Sequence, residues 1–527
     1  MIGVAALPIV AALVLLVALR WPARRAMPVC AGLTALAALW PWGVAPRRLA
    51  AAGVEALWIT AGILLIVFGA LFFLALLRGA GAVGVLQRLF AGLSPDRRAQ
   101  AVVVGWVLGS FLEGAAGFGT PAAITAPLLI GLGFPPVTAV VVALVGDSTA
   151  VSFGAVGTPM VVGMTEGLSG AAGAGVDPAL VPPVEAIALR VATYDLLLGA
   201  LMPVLLLLAL TGARAWRAAV QAAPFAIAVG AAQAAVAWAV ARGLGPEFPS
   251  LVGPLGGLAA AVVLLRLGLG PRGTWSPEGF APPAPAGGGP DPGRLLALAP
   301  YALLLGLLVL TRARGLPVAA WVSGLALEHD DILGAGLSAR LAPLHSPGAA
   351  FAAAALLSAP LLGVGRAGLL AAAREGAAVT GRTALALLAA IATVRIFVHS
   401  GVNAADLPAM PRVLADGLVL ALGAAWPLAA PWVGALGAFV AGSATFSNLL
   451  FALVQARAAA EAGWSLTSVL ALQSAGAAAG NMVCVHNVVA ACAVAGVLGQ
   501  EGAVLRRTAG PLVVYLLLAG LVGLALG

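Results

Sequence analysis

Between Arg98 and Glu166 the chain carries only two charged side chains, Glu113 and Asp147. Long charge-poor stretches of this kind recur to the last residues. Over the whole sequence 9% of residues are charged and 62% are hydrophobic, whereas a soluble domain carries about 25% charged residues. Such a chain cannot cover itself with a polar surface, so lipid must be its solvent. A membrane-crossing helix needs about 20 mostly apolar residues. Runs of that kind predict about twelve spanning helices, near 2–19, 27–42, 52–77, 136–163, 182–212, 218–241, 249–265, 295–311, 347–364, 383–400, 465–497 and 509–526. Two more apolar regions, 99–132 and 416–456, are too long for one span, and each is interrupted midway by glycine and polar residues. Each reads as a re-entrant hairpin. The expected fold is an all-α polytopic membrane protein.

The basic residues are all arginine, which excludes a phosphate-loop lysine and a Schiff-base lysine. The formal charge of +8 sits in short clusters between apolar runs, the pattern of cytoplasmic membrane loops. No basic face with interleaved aromatics appears, so no nucleic-acid partner is expected. Cys30, Cys484 and Cys492 form neither a disulfide framework nor a zinc spacing; no metal and no cofactor are expected. The first span has Arg20, Arg24 and Arg25 after it, not before it as in a signal peptide, and reads as a retained helix with its N-terminus outside. That orientation places Arg78/Arg88/Arg97/Arg98, Arg214/Arg217, Arg266/Arg272, Arg366/Arg374/Arg382 and Arg506/Arg507 inside. Arg47/Arg48 and Arg312/Arg314 fall outside, against the positive-inside rule.

The sequence divides into N-terminal helices (1–50), a first repeat (51–267), a linker (268–294), connecting helices (295–364) and a second repeat (365–527). The linker holds "PPAPAGGGPDPG" and reads as flexible. The repeat is visible in "GSFLEGAAGFGTP" (109–121) and "GAFVAGSATFSNL" (437–449), offset by 437 − 109 = 328. Gly109, Phe111, Gly114, Ala116 and Phe118 match Gly437, Phe439, Gly442, Ala444 and Phe446. At the same offset "VVALVGDSTA" (141–150) falls on "VLALQSAGAA" (469–478). Each half therefore holds a hairpin (99–132 and 416–456) followed by a broken helix (136–163 and 465–497). The predicted orientation makes this an inverted repeat, a common construction of secondary transporters, in which paired interrupted segments point to the binding site.

Irregular backbone at membrane depth must line a cavity or be buried in protein, so the four breaks, 113–120, 146–158, 442–448 and 473–487, should converge. Thr120-Pro121 and Thr158-Pro159 each suit a helix start, with threonine as cap and proline at the first position. Ser447-Asn448 is expected to cap the matching half-helix. Helix N-termini favour anions, so a small anion is the expected substrate. The candidate ligands are Gly119, Thr120, Ser148, Thr149, Thr158, Ser447, Asn448, Gln473, Asn481, His486 and Arg395. Arg395 would hold a carboxylate, neutralise Glu113 or Asp147, or snorkel to the interface. Glu113 and Asp147, acids within the membrane, are candidate proton carriers, as is His399, one helical turn from Arg395. Arg190, Tyr194 and Asp195 read as an ordinary ion-pair cluster. No His/Asp or His/Glu constellation suits a membrane-embedded enzyme.

The stretches "FLEGAAGFGTPAAITAPLLIGLGF" (111–134), "FGAVGTP" (153–159), "GSATFSNLLFALVQ" (442–455), "GAAAGNMV" (476–483) and "VVAACAVAGVLGQE" (488–501) resemble the lactate permease family. The resemblance covers most of the chain apart from about 215–345. It implies proton-coupled uptake of lactate- or glycolate-type 2-hydroxymonocarboxylates by alternating access, across the bacterial inner membrane. The implied partners are that anion, a proton and the lipid bilayer, and a homodimer is compatible with it. The chain departs from the family pattern at Asn481, where a lysine is usual. A sodium-coupled carrier of another small organic anion, such as a dicarboxylate, is the alternative for the same architecture, with Ser148, Asn448 and Asn481 as oxygen donors.

Overall fold

The computed structural model describes residues 1–15, 19, 21, 23–115, 117, 120–172, 175–280, 292–312, 317–497 and 499–527. The protein is an all-α multi-pass membrane protein. Among the described residues, eight helices are long and apolar enough to cross a membrane, and the bent pair Pro136–Gly146 and Thr149–Leu168 makes a ninth. The helices fall where the apolar runs place them. Pro46–Gly79, Val184–Thr211, Trp216–Gly243, Pro249–Arg266, Arg294–Arg312, Arg366–Val398 and Glu501–Leu526 are unbroken helices of crossing length. Besides the two broken helices, three of the expected twelve spans differ in extent: 27–42 is shifted to Ala23–Leu39, 347–364 shortens to Pro347–Leu361, and 2–19 begins as Ile2–Ala5 and Leu7–Leu13. Proline sits in the first turn of Pro46–Gly79, Pro136–Gly146, Pro249–Arg266 and Pro347–Leu361, where its missing N–H leaves no bond unmade.

Each half contains the expected hairpin and broken helix. In the first, Ala101–Leu108 and Gly109–Ala115 form the descending arm and Thr120–Gly131 the returning one. In the second, Trp426–Ala441 and Ala444–Ala462 form the two arms. The second hairpin thus starts later than 416, because Gly423 (φ 47°) turns the chain after the separate helix Met410–Leu422 and Trp426-Pro427 opens a new one. Glycine lets each broken helix lie directly on its hairpin. A methyl on Gly146 would sit 2.6 Å from the Gly105 carbonyl carbon, and one on Gly476 2.5 Å from that of Pro431. Such small-residue contacts replace hydrophobic driving force between helices in lipid.

The ungapped register does not survive along the second element. At an offset of 328, Gly146 corresponds to residue 474, yet the second broken helix runs Leu466–Gly480 before it breaks. The structural counterpart of the Asp147 break lies six residues later than the offset predicts (480 − 474 = 6).

Two loop regions differ from expectation. The first part of the linker is docked: Arg98 donates to Arg272 O (3.0 Å), the Trp275 amide donates to Asp96 (3.1 Å), and Arg97 lies over the Phe280 ring. Residues 281–291 lie outside the described part. Before Pro347, Leu327–His329 and Ala339–Leu341 pair as a two-stranded antiparallel hairpin. Arg47 donates to Leu333 O, and Arg48 donates to Ala335 O (2.9 Å). These two arginines, which fit the expected orientation poorly, hold the carbonyls of this loop; Arg312 and Arg314 lie outside the described side chains.

Candidate functional site

Glu113 lies near the end of the first arm, on Gly109–Ala115, and is 2% exposed. That helix stops just beyond it, and Gly117 turns with φ +61° against Ala155. Across from it, Pro136–Gly146 ends at Asp147 (φ −90°, ψ 68°), and Ser148 leads into the short 3-10 helix Thr149–Phe153. Ala155, Val156 and Gly157 then take left-handed conformations with φ 41°, 55° and 73°. Left-handed φ in non-glycine residues costs about 1–3 kcal/mol each and persists where the surroundings enforce it, often at functional sites. The chain resumes as Pro159–Met164 and Thr165–Leu168.

This backbone brings the two membrane acids together. The Glu113 and Asp147 carboxyls are buried neighbours, close enough to interact electrostatically. Gly154 makes room for the pair: a methyl there would lie 2.9 Å from Glu113 Cδ and nearer still to Oε1. Asn481, at the break of the second repeat, donates to Asp147 Oδ2 (3.1 Å), and Asn487 donates to Asn481 Oδ1 (2.7 Å). Glu113 Oε2 and Asp147 Oδ1 are buried without a hydrogen-bond partner among the described residues. Among the described residues, neither acid has an arginine or histidine partner. A cavity of about 20 Å³ opens between Glu113, Thr158, Asn481 and the start of Ala444–Ala462. It has room for about one water. Thus one wall is acidic and the other is a helix N-terminus with free N–H groups.

The other candidates are placed differently. Ser443, not Ser447-Asn448, caps the second half-helix, accepting from the Thr445 amide (3.2 Å). The helix starts a full turn earlier than the repeat suggests, because Gly442 (φ +79°) ends the preceding arm. Ser447 donates to Gly434 O (2.7 Å), and Asn448 ties the two repeats together by donating to Pro159 O (3.0 Å). Thr158 does not cap with its side chain. Its backbone is already helical, and its hydroxyl donates to Ala155 O (2.6 Å). Ser148 likewise donates to Val145 O (2.8 Å), and Thr149 faces a second cavity. Gln473 belongs to a ladder inside the second repeat: Trp426 donates to Gln455, Gln455 to Gln473 and Gln473 to Ser447, at 2.9, 2.8 and 3.0 Å. Gly119 and the side chains of Thr120 and His486 lie outside the described residues.

Arg395 and His399 do share a helix face, but they neutralise neither Glu113 nor Asp147. Arg395 pairs with Glu55, donates to Ser169 Oγ (2.6 Å) and to Glu166 O (3.2 Å), and approaches His399 Nε2 (3.0 Å). His399 Nε2 is also 2.8 Å from Glu55 Oε2, so this one nitrogen either accepts from Arg395 or donates to Glu55. The cluster joins Pro46–Gly79 and Arg366–Val398 to the end of the first broken helix. The sequence reading missed Glu55, although it is the only charged residue between Arg48 and Arg78, the same signal that marks Glu113. Nor is Asp195 in an ion pair: it meets Tyr515 Oη at 3.5 Å, while Arg190 donates to Leu526 O (3.0 Å).

The model of the L-lactate permease family matches residues 2–526. The chain belongs to the L-lactate permease family. Relatives include a putative L-lactate permease of Haemophilus influenzae, 30% identical over 86% of this chain and 85% of its own. Glycolate permease GlcA of Escherichia coli is 28% identical over 99% of this chain and 94% of its own. Among solved structures, the YdaH transporter of Alcanivorax borkumensis is matched at 16% identity with a TM-score of 0.40, over 86% of this chain and 84% of that one. As a member of this family the chain is a transport protein rather than an enzyme, and Glu113 and Asp147 of this chain sit near where the paired breaks meet.

Proposed function

We propose that this permease takes up lactate- or glycolate-type 2-hydroxymonocarboxylates together with a proton, by alternating access, in the bacterial inner membrane with its N-terminus outside. The observation that carries the reading is the buried Glu113/Asp147 pair, facing the N-terminus of Ala444–Ala462 and lacking a basic partner among the described residues. Two carboxyls buried side by side favour holding one proton between them, because two neighbouring charges without a basic partner repel and are poorly solvated. In the loaded carrier that proton travels with the substrate, whose carboxylate meets the free N–H groups in the first turn of Ala444–Ala462. The energetics favour the pairing. An anion entering a cell that is negative inside works against about 2.3 kcal/mol per 100 mV, and a co-transported proton cancels that charge. The small cavity supports a moving site, since the repeats must part to admit even a three-carbon acid. The Asn481–Asp147 and Asn448–Pro159 links are the contacts that parting would break. The Glu55–Arg395–His399 cluster would act in the same cycle, releasing or holding the first broken helix. The sodium reading is less well supported, because Asn481 lines the cavity whereas Ser148 and Asn448 do not.

The test is uptake of labelled lactate and glycolate into proteoliposomes under imposed pH, sodium and voltage gradients. A pH gradient alone should drive accumulation by the wild type, and Glu113→Gln should lose that response. Accumulation that follows sodium and ignores pH refutes proton coupling.

A further inference from the structure

A second cavity, of about 30 Å³, lies behind the acid pair. The short helix Thr149–Phe153 forms part of both walls: Val151 lines the first cavity, and Thr149, Ala150 and Phe153 line the second. Around this second space stand Asp195, Trp106, Gln233, Thr149 and Ser250. Trp106 Nε1 and Gln233 Oε1 are buried without any hydrogen-bond partner, and Asp195 has only the Tyr515 hydroxyl at the limit of bonding distance. An orphan donor, an orphan acceptor and a weakly held carboxyl around one space are an unmet demand that about two waters would satisfy.

Among the described residues, no cation is in place to balance Asp195. Tyr515 of Glu501–Leu526 is the titratable group that faces it. Trp216–Gly243 offers Gln233 and carries arginines only near its ends, Arg217 and Arg242. Pro249–Arg266 offers Ser250, Ala101–Leu108 offers Trp106 and Thr149–Phe153 offers Thr149. Pro136–Gly146, Leu466–Gly480 and Pro159–Met164 carry no charged residue. Arg190 and Arg507 are engaged with Leu526 O, Thr138 and Ala209 O.

We infer that this cavity is a hydrated proton site, with water as its ligand and the Asp195 carboxyl as the group that binds the proton. A proton arriving through the water converts the carboxylate to the neutral acid, and its departure restores the carboxylate. Any role of this site in carrying the coupled proton rests on the function proposed above; the site itself does not.

Infrared spectra of the reconstituted full-length protein, titrated in H₂O and D₂O, test the assignment. Asp195→Asn should lose one protonated-carboxyl C=O band that Glu113→Gln retains. The band should shift as soon as D₂O replaces H₂O, because the cavity is wet. Tyr515→Phe removes the one hydroxyl that touches Asp195 and should move the same band, which decides the matter if Asp195→Asn fails to fold. A set of wild-type carboxyl bands from which Asp195→Asn removes none, or of which Tyr515→Phe moves none, overturns the proposal. So does a band that resists D₂O, or one that sodium abolishes at constant pH. Absence of pH-driven uptake by the wild type would sink the proposed coupling while leaving this band to be judged separately.

Discussion

Alanine at Gly154 adds a methyl where the Glu113 carboxyl already lies. The built carbon would be 2.9 Å from Cδ and 3.2 Å from Cγ, and it overlaps Oε1. The backbone itself accepts alanine, since Gly154 has φ −63° and ψ 158°. All of the strain therefore falls on the contact with Glu113, which must leave its place beside Asp147. Overpacking of this size costs about 1–3 kcal/mol. Gly154→Ala should therefore lower the stability of the detergent-solubilised protein by that amount and abolish pH-driven uptake. The decisive measurement is a double-mutant cycle with Glu113→Ala. With the carboxyl gone, the methyl has room, so Gly154→Ala should cost close to nothing in that background, giving a coupling of about 1–3 kcal/mol. Equal costs in both backgrounds would refute the reasoning, as would full pH-driven uptake by the single variant.

Arg395→Ala leaves Glu55 charged, buried and without its strongest partner, and should destabilise by about 3–5 kcal/mol. Replacing both with methionine should restore most of the melting temperature, and a double variant as unstable as the single one would contradict the pairing. Gln473→Leu breaks the Trp426–Gln455–Gln473–Ser447 ladder and should cost about 1–3 kcal/mol with the KM for lactate unchanged in proteoliposomes. A raised KM at normal stability would place Gln473 in contact with substrate instead.

Much of the architecture was legible because membranes impose a strong local rule. A long apolar run has few options in lipid, so the helix positions could be read from hydropathy alone. Glycine and Thr-Pro interruptions located the breaks for the same reason. What could not be read was the choice among nearby polar residues. Ser443 and Ser447 are both plausible caps, and the left-handed turn at Gly442 decides between them. The two broken helices begin nearly in register, but the second runs about a turn and a half further before breaking at Asn481. A repeat inferred from matching letters in a Gly- and Ala-rich chain does not detect that extension.

The sequence by itself determined that this chain lives in lipid, that its helices pair into two similar sets, and that Glu113 and Asp147 are exceptional; Glu55 carries the same signal and was overlooked. Those conclusions follow from a free-energy cost that each residue incurs alone, wherever it is buried. Only the tertiary structure decided which exceptional residue meets which. Glu55 finds Arg395 across 340 positions of sequence, whereas Glu113 and Asp147 find each other. Burial of a charge is penalised locally, but its compensation comes from whichever distant segment the fold brings alongside. One acid thereby became half of an ion pair, and the other two became the buried pair on which the proposed proton coupling rests.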